Sequence, residues 1–132
     1  KQKLINEKVV FDCPKESNLA SIGWKSSTNL YLSISESILG KFELKQFNLE
    51  SKTLENITSP SDSGRGDYFI SVNKANKKVA YLRNVIGNKT EIWLYDEVTK
   101  ESRKVKSIPM ILMSVGWINN NELMVCFQFK TQ

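Results

Sequence analysis

The residues that could carry out chemistry are few and lie scattered along the sequence. There is no histidine, which removes the commonest general base and the commonest metal ligand. The serines are numerous, but no Gly-x-Ser-x-Gly turn accompanies them, so a serine triad cannot be built within this chain. We therefore predict a chain that is not an enzyme and that binds no metal or cofactor.

Two cysteines, Cys13 and Cys126, lie far apart in the sequence. Their separation excludes a local zinc or redox motif. Two alternatives stay open for them. They form one disulfide, as two cysteines in an exported protein can, or both are buried thiols, because apolar residues flank each of them.

The tripeptide Arg65-Gly66-Asp67 is one that adhesion receptors read, and it follows a small-residue and polar loop at 59–64. Matches of three residues arise often by chance, so an ordinary loop is the leading interpretation. The same loop is nevertheless well placed for a ligand, because loops on a rigid scaffold commonly carry binding residues. Arg65 and Asp67 are the predicted contact residues, for a small ligand or a protein partner that the sequence does not identify.

The chain is basic, with 19 Lys and Arg against 14 Asp and Glu and a net charge of +5. Such a charge permits binding to nucleic acids or anionic surfaces. The densest basic segments, 74–78 and 100–106, lack the interleaved aromatics of a single-strand binder and offer no recognition helix. We predict solvated turns there and no direct nucleic-acid binding. The longest apolar stretch, 108–113, is too short to cross a bilayer, so membrane contact is expected only through a parent protein.

The elements that position these residues repeat along the chain. Segments 21–30, 70–79 and 114–123 align without gaps, and each reads as a strand, a polar turn and a second strand. The aligned residues Trp24, Asn73 and Trp117 lie 49 and 44 residues apart, near the roughly 40–50 residues of a propeller blade. Apolar and polar residues alternate with period two, which is typical of strands. We expect the tryptophans, including Trp93, in the core between neighbouring sheets.

This pattern predicts an all-β fold, a partial β-propeller built of four-stranded antiparallel blades. A single domain would cover 1–132, with blade repeats at about 20–58, 68–106 and 111–132. Residues 1–19 would supply the closing strand of a preceding blade. Because so few blades cannot close a propeller, self-association through open blade edges is predicted.

Two segments of the second repeat resemble the blade signature of TolB-like (WD-like) propellers. In that family a Ser-Pro-Asp-Gly-Lys-Lys turn precedes an Ile-Ala-Phe strand, and a later Ile-Tyr-Val-Met-Asp strand leads into a Thr-Gly turn. The matching residues are 73–81, ending in Val79-Ala80-Tyr81, and 91–100, which contain Ile92-Trp93-Leu94-Tyr95-Asp96. The Pro-Asp-Gly turn is absent from all three repeats, although asparagine can replace it in left-handed conformations. Another four-stranded blade and a β-sandwich are the rival folds.

The resemblance implies a non-enzymatic binding or sensing module in the periplasm or another extracytoplasmic place. TolB-like propellers usually serve as platforms for proteins or ligands. Similar blades occur in the sensor regions of membrane-bound transcriptional regulators such as CadC and ToxR, and this chain would fit such a sensor. Two alternatives remain: the propeller domain of a prolyl-oligopeptidase-type peptidase, and a scaffold subunit of an envelope complex.

Overall fold

Ten β-strands and no helix make up the part of the chain that the computed structural model describes, which is residue 9 and residues 12–61 and 64–127. Sheet 1 comprises β1 (Asn18–Trp24), β2 (Asn29–Ser35), β3 (Glu43–Asn48) and β4 (Leu54–Asn56). Sheet 2 comprises β5 (Gly66–Asn73), β6 (Lys78–Val85), β7 (Lys89–Asp96) and β8 (Glu101–Ile108). Sheet 3 pairs β9 (Leu112–Trp117) with β10 (Leu123–Phe127).

Every pairing within the sheets joins consecutive strands in antiparallel fashion. The predicted all-β class is therefore confirmed, and the sheets follow one another as propeller-like blades. They occupy 18–56, 66–108 and 112–127, against predicted repeats at 20–58, 68–106 and 111–132. The closing strand predicted within 1–19 and the end of the third repeat fall largely on residues outside the described ranges, and they stay predictions.

The sheets pack face to face through two apolar clusters. Between sheets 1 and 2 the buried residues are Tyr31, Leu44, Val79, Tyr81 and Tyr95. Between sheets 2 and 3 they are Ala80, Leu82, Ile92, Leu94, Leu112 and Val115. Sheet 2 therefore contributes to both clusters from alternate positions of β6, as the period of a strand requires. Burial of these faces by neighbouring sheets provides the main apolar stabilisation.

The first strands of the three sheets contact one another in order, β1 with β5 and β5 with β9. Each of them has an irregularity in its pairing at the same place. The register skips Ala20 in β1, Phe69 in β5 and Met113 in β9. A bulge of this kind leaves the extra residue outside the hydrogen-bonded ladder and re-aims its side chain.

The tryptophans differ from the expectation at one position. Trp93 packs against the cluster between sheets 1 and 2, and Trp117 packs against the one between sheets 2 and 3. Trp24 is 51% exposed, so its predicted place in the core is wrong. The neighbouring Gly23 lies against Val72 of sheet 2. Because successive residues of a strand point to opposite faces, Trp24 projects from the face of sheet 1 that is turned away from sheet 2.

Cys13 and Cys126 are both free thiols on exposed residues. The structure therefore has neither the disulfide nor the pair of buried thiols that the sequence left open. Cys126 lies in β10, where it pairs across to Ser114. Its side chain shares a sheet face with Met124, which is 57% exposed, so the apolar residues beside it in the sequence do not bury it.

Candidate functional site

The predicted contact tripeptide lies where the chain passes from sheet 1 to sheet 2. Phe42 binds both sides of it through the main chain: its N–H donates to the carbonyl of Arg65 at 2.9 Å, and its carbonyl accepts the N–H of Asp67 at 2.8 Å. Gly66 has a φ of 87°, a conformation that glycine adopts without strain. A side chain at Gly66 would collide with the carbonyl of Phe42, so glycine is required for the two sheets to approach this closely.

Asp67 has no exposed surface, so the prediction that it contacts a ligand is wrong. Its carboxylate accepts two hydrogen bonds from Arg83, from Nε at 2.6 Å and from Nη2 at 3.0 Å. The Arg83 guanidinium also lies 4.3 Å from the centre of the Trp93 ring. Because a buried charge is tolerated only when it is paired and hydrogen-bonded, Asp67 has a structural role at the start of β5.

Arg65, the other predicted contact residue, is exposed and lines a cavity. Its main-chain N–H donates to Asn84 Oδ1 at 3.0 Å. Together with the bond from Phe42, this contact fixes the backbone from which the guanidinium extends. Within the described ranges, no carboxylate forms an ion pair with Arg65.

The cavity, of about 470 Å³, opens where the first strands of the three sheets begin. The three bulged residues Ala20, Phe69 and Met113 all line it, one from each sheet. The rest of its described wall is formed by Phe42, Arg65, Tyr68, Asn84, Asn88, Ile111 and Leu112. The wall is thus mainly apolar, with one cation, two amides and one phenol.

The phenol of Tyr68 is held by sheet 3 and is not free to exchange protons with a ligand. Its hydroxyl donates to the carbonyl of Leu112 at 2.8 Å and lies 3.4 Å from Thr90 Oγ1. Burial raises the pKa of Tyr68, while the hydrogen bond with Thr90 and the charge of Arg65 oppose that rise. Tyr68 is therefore neutral at physiological pH and shapes the wall of the cavity.

Thr90 joins sheets 2 and 3 in the same way that Phe42 joins sheets 1 and 2. Its buried hydroxyl donates to the carbonyl of Met110 at 2.8 Å and accepts the N–H of Leu112 at 3.1 Å. Phe42 makes the corresponding two bonds to residues 65 and 67 with its own main chain. Both connections hold the segment that enters a first strand, and both lie beside the cavity.

This arrangement can bind and orient a ligand. The described lining side chains are apolar, amide, phenol and guanidinium groups. The described residues contain no group of three or more His, Cys, Asp or Glu residues that could hold a metal ion. None of them forms a helix long and apolar enough to span a membrane.

Of the cavity residues, the sequence analysis named Arg65, whose role as a contact residue stays a prediction, and it did not name the three bulged residues or Asn84. Alternation of apolar and polar residues does not reveal a bulge, because the extra residue simply interrupts the period. The available signal was positional. Ala20, Phe69 and Met113 each lie four residues before the end of a first strand, so the gapless alignment of the repeats, extended by one residue, places them in one column.

The chain has a distant likeness in fold to a solved structure. Neither a protein-family model nor a curated protein matches the chain. Among solved structures, the chain is similar to the acylaminoacyl peptidase of Pyrococcus horikoshii, with 18% identity and a TM-score of 0.50 over 76% of this chain and 15% of that one. The fold of that peptidase includes a β-propeller. The likeness concerns the fold alone, and it supports propeller-like blades over the rival β-sandwich.

Proposed function

We propose that this chain is a non-enzymatic binding module, in which propeller-like sheets present a ligand cavity at the start of their first strands. The cavity itself carries the proposal, because all three sheets contribute a bulged residue to one wall. Ligand sites favour concave, largely apolar surfaces with a few placed polar groups. Bulges that re-aim side chains are over-represented beside such sites.

The experiment is an NMR titration of the full chain with a library of small molecules, read from main-chain and methionine methyl signals. Ala20→Trp fills the cavity from one wall, and Ile86→Trp places the same ring at a residue that is 64% exposed outside the described lining. Shifts that cluster around the cavity and disappear in Ala20→Trp alone are expected. Ligands that cause the same chemical-shift changes in Ala20→Trp as in Ile86→Trp would count against this site.

The non-enzymatic part of the proposal needs its own test. A broad screen of hydrolase substrates is expected to show no turnover by this chain. Robust turnover that one point substitution abolishes would overturn it.

A propeller domain of a prolyl-oligopeptidase-type peptidase is the second candidate. The likeness to the acylaminoacyl peptidase favours it, since part of that protein shares the fold. In this case the blades would belong to a larger enzyme whose chemistry lies in another domain. Sequencing the gene on both sides separates the candidates: a downstream Gly-x-Ser-x-Gly hydrolase supports the peptidase, and an upstream winged helix with a membrane span supports a regulator.

The narrower assignments rest on the resemblance to TolB-like blades and stay predictions. They are the sensor domain of a CadC- or ToxR-like regulator, the envelope scaffold and the extracytoplasmic location. Self-association through open blade edges is also a prediction, and the outer strand of sheet 2 opposes it. The strand β8 has a bulge at Val105 and carries Lys104 and Lys106, and both features protect an edge from pairing.

A further inference from the structure

We propose that the cavity binds a carboxylate that is attached to an apolar group, with the guanidinium of Arg65 as the anion-binding residue. This inference rests on the binding function proposed above and names the chemistry of the ligand. It follows from the size and lining of the cavity, from the absence of an ion-pair partner for Arg65 among the described residues, and from the way in which the surrounding main chain is held.

The size of the cavity suits a small organic molecule or the end of a peptide. Its volume of about 470 Å³ lies within the roughly 300–1,000 Å³ typical of ligand pockets. Phe42, Phe69, Ile111 and Met113 supply apolar wall from all three sheets or the connections between them. A ligand that fills this space therefore needs an apolar body.

Arg65 is the one charged side chain among the described lining residues. The two arginines near the connection between sheets 1 and 2 differ in their ion-pair partners. Arg83 is paired with Asp67 in a bidentate fashion, whereas Arg65 has no ion-pair partner within the described ranges. A guanidinium presents two parallel N–H donors that match a carboxylate. The net charge of +5 adds a general attraction for anions.

The main chain around Arg65 is fixed before any ligand arrives. Asn84 Oδ1 accepts its N–H at 3.0 Å, and Phe42 binds its carbonyl at 2.9 Å. The part of the wall formed by Phe69 is also constrained, because Phe69 has a φ of 32°, which is unusual for an aromatic residue and marks local strain. Fixed surroundings reduce the entropy lost on binding, so the side chain of Arg65 is the main group that must become ordered.

The charge count favours a carboxylate over a phosphate. One guanidinium balances a single negative charge, and the remaining polar lining groups, Asn84, Asn88 and Tyr68, are neutral. A phosphate carries nearly two charges at neutral pH, so one of them would stay uncompensated against an apolar wall. A burial of that kind is unfavourable.

The test uses 4-phenylbutyrate and its neutral isostere 4-phenylbutyramide, titrated into the full chain and followed by the methyl signal of Met113. The variant is Arg65→Gln, and Arg103→Gln is the matched control, because Arg103 is also exposed and lies outside the described lining. Both variants lose the same charge, so general electrostatic attraction falls equally in both. Phenyl phosphate is the dianionic probe, and Gly-Gly-Phe with a free carboxyl group is the peptide probe.

The expected result is that Arg65→Gln weakens phenylbutyrate binding about tenfold to 100-fold, as loss of a charge-assisted hydrogen bond does. Arg103→Gln is expected to leave it unchanged, and phenylbutyramide is expected to bind the wild type and Arg65→Gln equally. Tighter binding of Gly-Gly-Phe than of phenylbutyrate assigns the carboxylate to a peptide end, and the reverse assigns it to a free acid.

Five outcomes would overturn the inference. Equal losses in the two variants would show that only net charge matters. Equal binding of phenylbutyrate and phenylbutyramide at the cavity would refute the preference for a carboxylate but not the proposed binding function. Tighter binding of phenyl phosphate than of phenylbutyrate would show that the cavity prefers a dianion. If no probe shifts Met113 while a library ligand does, the ligand class is wrong; if nothing binds there, the proposed function fails as well.

Discussion

Gly66 and Gly87 offer a matched test of the connection between sheets 1 and 2. Both have a positive φ, 87° and 85°, so alanine meets the same kind of backbone penalty at each. Their surroundings differ. A Cβ at Gly66 would collide with the carbonyl of Phe42 and lie 2.9 Å from its nitrogen, whereas a Cβ at Gly87 has nothing within 4 Å.

The expected losses of stability follow from this difference. Gly87→Ala pays only for a left-handed alanine, about 1–2 kcal/mol. Gly66→Ala has the same backbone cost and also forces Phe42 away from Arg65 and Asp67. The two main-chain hydrogen bonds lost there contribute about 0.5–1.5 kcal/mol each, so the free energy of unfolding should fall by about 2–5 kcal/mol in total.

Urea denaturation followed by tryptophan fluorescence measures both variants against the wild type, with the slope m as a check that unfolding stays two-state. Gly66→Ala should be less stable than Gly87→Ala by about 1–3 kcal/mol. Losses that agree within about 0.5 kcal/mol would refute the close approach of the two sheets at this point. A change in m for Gly66→Ala alone would instead indicate that sheets 1 and 2 unfold separately.

Three further substitutions test contacts of sheet 2. Asp67→Asn leaves the guanidinium of Arg83 without its carboxylate and should lower the free energy of unfolding by about 3–5 kcal/mol in urea; a loss near zero would contradict the buried pair. Thr90→Val keeps the side-chain volume but leaves two main-chain groups of the connection to sheet 3 unpaired, which should cost about 1–3 kcal/mol and lower the melting temperature in calorimetry. The hydrogen bond from Lys78, with two main-chain N–H groups, lowers the pKa of Asp96 to about 2. The resulting stabilisation is present above pH about 4 and is lost as the pH falls through about 2, so Asp96→Asn should be less stable than the wild type at pH 7 and equal to it only well below pH 2.

The sequence was sufficient to predict the strands and several turns. Alternation of apolar residues predicts β2 and β6, whose central residues are buried. For β6 the reason is that sheets 1 and 3 cover its two faces. The turn expected at Gly87-Asn88 separates β6 from β7, and both residues have a positive φ, 85° and 55°. Three residues connect the paired Val85 and Lys89, and glycine and asparagine favour the left-handed conformations that such a loop needs, so neighbouring sheets are not needed to specify it.

The charged residues of the site were harder to predict because their roles depend on partners distant in sequence. Arg65 and Asp67 are two residues apart, yet one is exposed and the other is completely buried. The difference arises from Arg83, which lies on β6 and pairs across to Asp67. No local pattern indicates that pairing. An adhesion-type tripeptide and a buried ion pair are therefore indistinguishable until the register of β5 against β6 is known.

The gapless alignment of the repeats also placed Asn73 in the column of Trp24 and Trp117, although it lies on the opposite face. Val72 packs in the cluster between sheets 1 and 2, while the amide of Asn73 donates to Asn120 of the next repeat at 3.2 Å. The lengths of the turns explain why Asn73 lies on the opposite face from the two tryptophans. Four residues separate Asn73 from its cross-strand partner, against five for Trp117, and a shift of one residue inverts the faces of a strand.

The same alignment succeeds for the bulges because it preserves the distance from each bulge to the end of its strand. Ala20, Phe69 and Met113 differ in size, and what they share is position and a place on the cavity wall. The fold thus specifies the positions from which side chains enter the cavity, and it does not specify which residue type occupies each position. Because bulge positions depend on the register between strands, substitutions at these three residues can change what the cavity binds with little effect on how the sheets are connected. Phe42 and Thr90 make those connections from outside the bulges.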